Sequence, residues 1–259
     1  MRIPKTLWLA LLAALAMFLM LVLTLPAALV INAFDESQYL SRAEGSIWSG
    51  QARWQQPGQQ PLLVQWRWAG GRSWQWQASD QSTELRGQWR PGRSLMLPVV
   101  EGRLAVERVD LAQWLQVSRP LGHLELMLEH VELLDHAPPQ ATGEILWRDA
   151  GLTGAIQEPL GLIRLRLNPH EGVLRVAVES LEPAPVMVRG RIDLDADSYR
   201  VDLWLRGERG RPELQQALIY LGDLQPDGQV RLQLRGATGL RRPTSLTSPG
   251  LPERRSESG

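Results

Sequence analysis

Hydrophobic and polar residues are patterned in two different ways along this chain. From Thr6 to Val30 no residue is charged and almost every one is apolar. Beyond a polar stretch at Asp35–Ala43, apolar residues recur mainly at every second position, in short segments punctuated by Gly and Pro. Because period-two alternation is typical of strands with one buried face, the chain is predicted to be mainly β. We expect an N-terminal transmembrane helix followed by an antiparallel, meander-like, curved β-sheet domain with two short helices.

The uncharged segment, residues 6–30, is predicted to be a membrane helix. Its 25 residues exceed the roughly 20 that a helix needs to span a bilayer. A cleaved signal peptide is the alternative, but its apolar core is normally only about 7–15 residues long. Arg2 and Lys5 precede the segment, whereas Asp35 and Glu36 follow it. The positive-inside rule therefore predicts that residues 1–5 are cytoplasmic and that the rest is exported, in a bacterium into the periplasm.

The exported part divides into a linker at 31–44, a β-rich domain at 45–236 and a tail at 237–259. The domain could consist of two halves, 45–135 and 142–236, because Gly45-Ser46-Ile47-Trp48 is echoed weakly by Gly143-Glu144-Ile145-Leu146-Trp147. The tail lacks periodicity and is rich in Ser, Pro and Arg, which is typical of disorder.

The clearest predicted hairpin surrounds Gly70 and Gly71, which supply the positive φ that a tight turn needs. If the strands pair symmetrically about Gly71, Trp68 lies opposite Trp74, and Trp66 lies opposite Trp76, with all four indoles on one face. Ile163–Leu167 and Leu174–Val178 are predicted to be strands with one solvated face, and a further hairpin is predicted where Val186–Leu194 meets Tyr199–Leu205. A closing strand is predicted from Val230.

Two short helices are predicted to interrupt the strands. Val109–Leu115 contains Asp110, a residue suited to N-capping, and Pro212–Leu221 has Pro in its first turn and Gly222 after its last. Leu121–Asp135 fits either a strand with a bulge before Val131 or a helix with an apolar stripe.

Composition narrows the classes of function. Lys plus Arg and Asp plus Glu both number 28, so the chain has no net charge that would attract nucleic acid. It contains no Cys, which excludes disulfides, thiolate metal sites and a cysteine nucleophile. Eleven Trp against two Phe and three Tyr is an unusual aromatic balance, and ten of those Trp follow Trp8 of the apolar segment.

No motif for catalysis or for a cofactor emerges from the residues. The four histidines lack the spacing of a zinc helix. Asp193, Asp195 and Asp197 resemble the start of a calcium loop, but Ser198 and Trp204 stand where that loop needs Gly and Glu, so a solvated strand end leading into a turn is favoured. Nucleophile-elbow, Walker and dinucleotide motifs are absent from the sequence. We therefore expect no catalytic residue, metal site or cofactor.

The tryptophans and the glycine-containing turn before them form the candidate binding or packing motif. A sheet face packed on a core is favoured over a sugar-stacking platform, because the alternation is that of half-buried strands. A groove along a curved sheet could also take lipid or a partner strand. The residues of this motif are Gly45, Ile47, Trp48, Gly50, Trp66, Trp68, Trp74 and Trp76.

Four features of the sequence occur together: the single predicted anchor, the motif Gly45-Ser46-Ile47-Trp48-Ser49-Gly50, the later Gly143-to-Trp147 motif and the segment LGDLQPDGQVRLQLRG at Leu221–Gly236. With them the chain resembles the type II secretion system protein N family of Gram-negative inner-membrane proteins. The resemblance implies a single-pass inner-membrane protein that acts by contacts with other inner-membrane or periplasmic secretion proteins. A lipid or glycolipid carrier is the alternative that the amphipathic strands leave open, and an envelope enzyme has the least support.

Overall fold

The computed structural model of the chain describes residues 25–27, 39–55, 59–91, 95–109, 118–133, 137–154 and 158–238. Within them the architecture is one antiparallel sheet of fourteen strands. The strands are β1 (Leu40–Gly45), β2 (Ser49–Trp54), β3 (Leu62–Gly70), β4 (Ser73–Ser79), β5 (Glu84–Trp89), β6 (Leu95–Ala105), β7 (Ser118–Leu133), β8 (Gln140–Gly154), β9 (Glu158–His170), β10 (Val173–Ser180), β11 (Val186–Leu194), β12 (Ser198–Gly207), β13 (Asp223–Leu224) and β14 (Val230–Ala237).

The sheet is an open meander, which confirms the predicted fold class for the described residues. Each strand from β1 to β11 pairs with the next in the chain, and β14 then lies between β12 and the short β13. The register of the tryptophan hairpin is the predicted one, because Trp66 pairs with Trp76 and Trp68 with Trp74. Gly70 and Gly71 turn that hairpin with φ of 103° and 57°.

One face of the sheet is apolar over its whole width and the other is charged. Cross-strand partners share a face, so the pairs Val176–Leu167 and Val178–Leu165 continue one apolar surface from strand to strand. The larger core cluster draws on β8 to β14 and includes Ile163, which is 2% exposed, and Val230, which is fully buried. A smaller cluster around Val100 and Leu128 lies between β6 and β8.

Glycines on the apolar face let adjacent strands approach closely. Gly102, Gly143 and Gly190 have φ of 136°, 128° and 157°, and a Cβ on any of them would lie 2.0–2.2 Å from a carbonyl oxygen of the neighbouring strand. Kinks at such glycines allow a sheet to curve. Because no second sheet exists among the described residues, curvature of this kind explains how the apolar side chains become buried.

One predicted helix is confirmed and the other lies mainly outside the described residues. Helix α1 spans Pro212–Ile219 and buries Leu214 and Leu218. The predicted helix at Val109–Leu115 begins just after a 3-10 turn at Val106–Arg108, and its residues from Asp110 onward are not described. The ambiguous segment from Leu121 is the strand β7, with an irregular register between Glu129 and Glu132 that matches the bulge predicted before Val131.

The remaining predictions about organisation fall partly on residues that the structure does not describe. The expected membrane helix at 6–30 lies outside the description except for 25–27, and no described helix has the length and apolarity needed to cross a bilayer. Strand β1 begins at Leu40, inside the expected linker 31–44, where an exposed edge strand carries mostly polar side chains. The two suggested halves are joined because β7 pairs with β8. Of the expected tail, residues 239–259 are not described.

Candidate functional site

The turn between β1 and β2 is built by the Gly-Ser-Ile-Trp-Ser-Gly motif. Gly45 has φ of 87°, and a Cβ there would lie 2.6 Å from the carbonyl oxygen of Ser49. The hydroxyl of Ser46 accepts hydrogen bonds from the backbone N–H groups of Trp48 (3.2 Å) and Ser49 (3.3 Å). This serine thus replaces backbone partners inside a tight turn, as short polar side chains often do.

Three tryptophans of the next hairpin hold the carbonyl groups of this turn. The indole Nε1 of Trp66 donates to the carbonyl oxygen of Ser46 over 3.0 Å. The indole Nε1 of Trp74 donates to that of Ile47, also over 3.0 Å. The backbone N–H of Trp68 donates to the carbonyl oxygen of Trp48 over 2.6 Å. The turn therefore has a fixed conformation, set by side chains of β3 and β4.

The indole rings also pack on one another. Trp48 lies edge-on to Trp68 with ring centroids 5.5 Å apart, and it stacks on Trp74 at 6.1 Å. Trp74 in turn contacts Trp89 of β5 at 5.3 Å. Trp89 was not among the predicted site residues, although its alternation with Leu85 and Gly87 places it on the same face.

Two of the predicted tryptophans cover glycines of the adjacent strand. A Cβ on Gly50 would lie 2.6 Å from Trp66 Cζ2, and one on Gly87 would lie 3.0 Å from Trp76 Cε2. The indole nitrogen of Trp76 is buried and finds no hydrogen-bond partner in the described part of the chain. All eight predicted residues thus lie together on β1 to β4 and their connecting turns.

The same turn contacts residues near the C-terminal end of the uncharged N-terminal segment. The backbone N–H of Ile47 donates to the carbonyl oxygen of Leu25 over 3.1 Å, and Pro26 forms an isolated bridge with Ser46. Ala27 is 2% exposed. The β1–β2 turn, which the tryptophans hold and which we call the clamped turn, therefore connects residues 25–27 to the sheet.

Ion pairs cross the strands on the polar face. Arg86 pairs with Glu101 at 2.8 Å, Arg166 with Glu144 at 3.1 Å, and Arg231 with Asp202 at 2.7 Å. The hydrogen bond from Arg231 lowers the pKa of Asp202. This face is an ordered array of cross-strand charges whose partners stabilise one another.

Two arginines of the same face donate hydrogen bonds to the carboxylate of Glu125. Arg148 donates to this carboxylate over 2.6 Å and Arg103 over 3.3 Å. The hydrogen bond from Arg148 is the main reason why the pKa of Glu125 is lowered. In the same way, the hydrogen bond from Arg164 lowers the pKa of Glu179. Both carboxylates are consequently held in the charged form.

The acidic run that resembles a calcium loop is a turn. Asp195 Oδ1 accepts hydrogen bonds from the backbone N–H groups of Asp197 (2.8 Å) and Ser198 (2.7 Å), and these bonds lower the pKa of Asp195. The predicted strand end leading into a turn is thus confirmed. Among the described residues no three His, Asp or Glu side chains are grouped so that they could hold a metal ion.

One buried ion pair could not be predicted from the sequence, because its members are far apart in the chain. Arg108, after β6, pairs with Asp80 in the β4–β5 turn, and their side chains are only 9% and 6% exposed. Asp80 also accepts from the backbone N–H of Thr83 over 2.7 Å, while Arg108 donates to the carbonyl oxygen of Gln60 over 3.1 Å. The pair thus links the β2–β3 connection, the β4–β5 turn and the segment after β6. All three lie at the end of the sheet opposite the clamped turn.

Comparison with known proteins identifies the family. No curated protein and no solved structure matches the chain. The family model described as "Type II secretion system (T2SS), protein N" matches residues 39–234, which include the clamped turn, strands β1 to β13 and the first five residues of β14. The chain therefore belongs to the type II secretion system protein N family.

Proposed function

We propose that this protein is an inner-membrane-anchored, periplasmic scaffold component of the type II secretion system that acts through protein–protein contacts. Family membership supports an accessory role in type II secretion. The observation that carries the contact mechanism is the open edge of β14. Its backbone pairs with β12 along one side, but on the other side β13 covers only Val230 and Arg231.

The open edge lies beside exposed apolar side chains. Leu234 of β14 is 36% exposed, Leu224 of β13 is 51% exposed and Tyr220, just after α1, is 91% exposed. Unpaired strand edges bind extended segments through backbone hydrogen bonds, and neighbouring pockets select the side chains. A strand from another secretion protein could therefore continue the sheet at residues 232–237, where no described strand pairs on that side.

Cysteine cross-linking tests this edge, because the natural chain has no Cys that would react in the background. Gln233→Cys places a thiol on the open edge, and Gln75→Cys places one on an exposed position of the interior strand β4. In membranes of the native host, Gln233→Cys should form adducts whose second member is a type II secretion protein. Adducts from both variants alike, or from neither, would contradict docking at this edge.

The membrane anchor and the periplasmic location are part of the proposal. The uncharged segment at 6–30 and its flanking charges support them. In intact cells whose outer membrane has been permeabilised, a membrane-impermeant maleimide should label Gln75→Cys, and the protein should stay in the membrane pellet after alkaline extraction. Labelling only after the inner membrane is lysed would place the sheet in the cytoplasm and refute the orientation.

A lipid carrier is the second candidate, favoured by the continuous apolar face of a single sheet. Val64, Trp66, Trp76 and Leu85 on this face are only partly buried. Mass spectrometry of the lipid that co-purifies with the full chain and with a Trp76 variant distinguishes a carrier from a scaffold. Trp76→Arg should remove a stoichiometric lipid from a carrier, whereas a scaffold should show the same annular lipid in both proteins.

A further inference from the structure

Exposed apolar side chains collect at one end of strands β3 to β7. Trp68 is 45% exposed, Met96 43%, Leu133 41% and Leu95 40%. Successive antiparallel strands bring them to the same end, because Trp68 pairs with Trp74 next to the β3–β4 turn and Leu95 pairs with Leu133 where β6 begins and β7 ends. We call these four side chains, with Arg72 and Arg90, the turn rim.

The turn rim is at the end of the sheet where the N-terminal segment arrives. The β1–β2 turn and the β3–β4 turn lie at this same end, since Gly50 pairs with Trp66 and Trp66 with Trp76. Ile47 of the β1–β2 turn is hydrogen-bonded to Leu25, which lies near the C-terminal end of the uncharged run from Thr6 to Val30. A bilayer crossed by that run would therefore face the turn rim.

The turn rim carries two arginines and borders one acidic side chain, because Glu132 lies opposite Met96 and next to Leu133. Arg72 and Arg90 are exposed, and within the described residues neither guanidinium forms an ion pair. Arg72 donates one hydrogen bond to the carbonyl oxygen of Pro91 over 3.3 Å, and the other N–H groups of its guanidinium take no part in that bond. On the polar face, by contrast, arginines such as Arg86 are paired with acids of the next strand.

The far side of the same sheet end carries charges of both signs, because the exposed Arg200 and Arg235 pair across β12 and β14 there. The β9–β10 turn carries Glu171, which is exposed, and the β11–β12 turn carries Asp195 and Asp197. The exposed guanidinium groups of Arg72 and Arg90 favour contact of an anionic surface with the corner formed by β3 to β7.

We propose that the turn rim lies in the headgroup region of the inner membrane and binds anionic phospholipid. Tryptophan rings concentrate at membrane interfaces, where their apolar body and polar N–H meet both media. Guanidinium groups bind phosphate through paired hydrogen bonds. The inference rests on the proposed membrane anchor, and it fixes which end of the sheet touches the bilayer, leaving the open edge of β14 free for protein.

Single-cysteine labelling of the full chain in vesicles tests the rim. Met96→Cys and Leu133→Cys place a polarity-sensitive fluorophore on the turn rim, and Tyr220→Cys and Leu224→Cys place it at exposed apolar positions toward the opposite end. The vesicles contain phosphatidylethanolamine and phosphatidylglycerol, with a nitroxide quencher high on the acyl chain, because interfacial side chains lie roughly 5–10 Å into the headgroup boundary. Quenching at the rim positions should exceed quenching at the distal positions several-fold.

The outcomes separate failure of this inference from failure of the anchor. If the protein does not float with the vesicles, the proposed anchor is wrong. If it floats but the rim fluorophores are no more quenched than the distal ones, the anchor stands and the rim inference is overturned. If rim contact is electrostatic as well as apolar, Arg72→Glu combined with Arg90→Glu should reduce rim quenching in anionic vesicles more than in phosphatidylcholine vesicles. Equal quenching in the double variant and the parent would overturn the claim that anionic lipid is bound.

Discussion

The indole Nε1 of Trp74 donates a hydrogen bond to the carbonyl oxygen of Ile47 over 3.0 Å, joining residues 27 positions apart. Through this bond a strand in the second hairpin fixes the turn of the first. The turn in turn contacts Leu25 through the N–H of the same Ile47. The tryptophans of this motif therefore do more than bury apolar area. Two of their indole nitrogens each donate a hydrogen bond to a backbone carbonyl that the tight turn would leave unpaired.

Replacing Trp74 by Phe should destabilise the sheet by about 1–3 kcal/mol, since it removes the donor and leaves the carbonyl of Ile47 partly buried and unpaired. Trp68→Phe is the matched control. The Nε1 of Trp68 donates to Gly71 in an exposed turn, where water can take its place. We expect that control to lose less than about 1 kcal/mol. Urea unfolding of both variants followed by circular dichroism measures the difference, and equal losses would contradict the clamp.

Gly143→Ala should destabilise more than Gly228→Ala. Both glycines have positive φ, of 128° and 79°, so each substitution strains the backbone by about 1–2 kcal/mol. A Cβ at Gly143 would also lie 2.1 Å from the carbonyl oxygen of Met127, whereas one at Gly228 meets nothing within 4 Å. The overlap should add about 1–3 kcal/mol at Gly143 alone. Thermal unfolding of the two variants checks this, and a smaller loss at Gly143 would count against close strand approach at that position.

The alternation of side chains was enough to predict the meander and the tryptophan pairs, because both follow from local spacing and a two-glycine turn. Sequence spacing also placed the helix at Pro212, and it offered a strand with a bulge before Val131 as one of two alternatives for Leu121–Asp135. It could not indicate that Trp74 reaches Ile47, because the direction of an indole N–H depends on how two hairpins lie together. Strand β1 was expected to be linker, since an edge strand keeps Ser41 and Glu44 exposed and lacks the apolar alternation of interior strands.

Breaking the buried pair between Asp80 and Arg108 should cost about 3–5 kcal/mol, because one charge is then left buried without its partner. Asp80→Asn and Arg108→Met should each show this loss, and the double variant should lose less than the sum of the two. Arg86→Met is the control, since Arg86 pairs with Glu101 on the surface, with side chains 67% and 44% exposed. We expect it to lose less than about 1 kcal/mol. Additive losses at Asp80 and Arg108 would show that the two side chains do not act as a pair.

Stability should fall in acid because carboxylates of the polar face are held charged. Arginine hydrogen bonds lower the pKa of Glu125, Glu179 and Asp202 in the folded chain. A carboxyl whose folded pKa lies below its unfolded value, near 4, contributes stability above that value and loses it as the pH falls through the folded pKa. The contribution of these groups to the free energy of unfolding should therefore be level above about pH 5 and decline below about pH 4.

Asp202→Asn tests the acid dependence at one pair. The variant should be less stable at neutral pH, because Arg231 loses its charged acceptor, and its stability should decline less steeply below about pH 4, because one linked proton is missing. Glu129→Gln is the control, since Glu129 is exposed and forms no ion pair within the described residues. Urea unfolding of the full chain in detergent at a series of pH values measures the slope. If Asp202→Asn keeps the parental slope, the carboxylate of Asp202 is not linked to folding, and the cross-strand ion pairs contribute to the sheet mainly through their geometry.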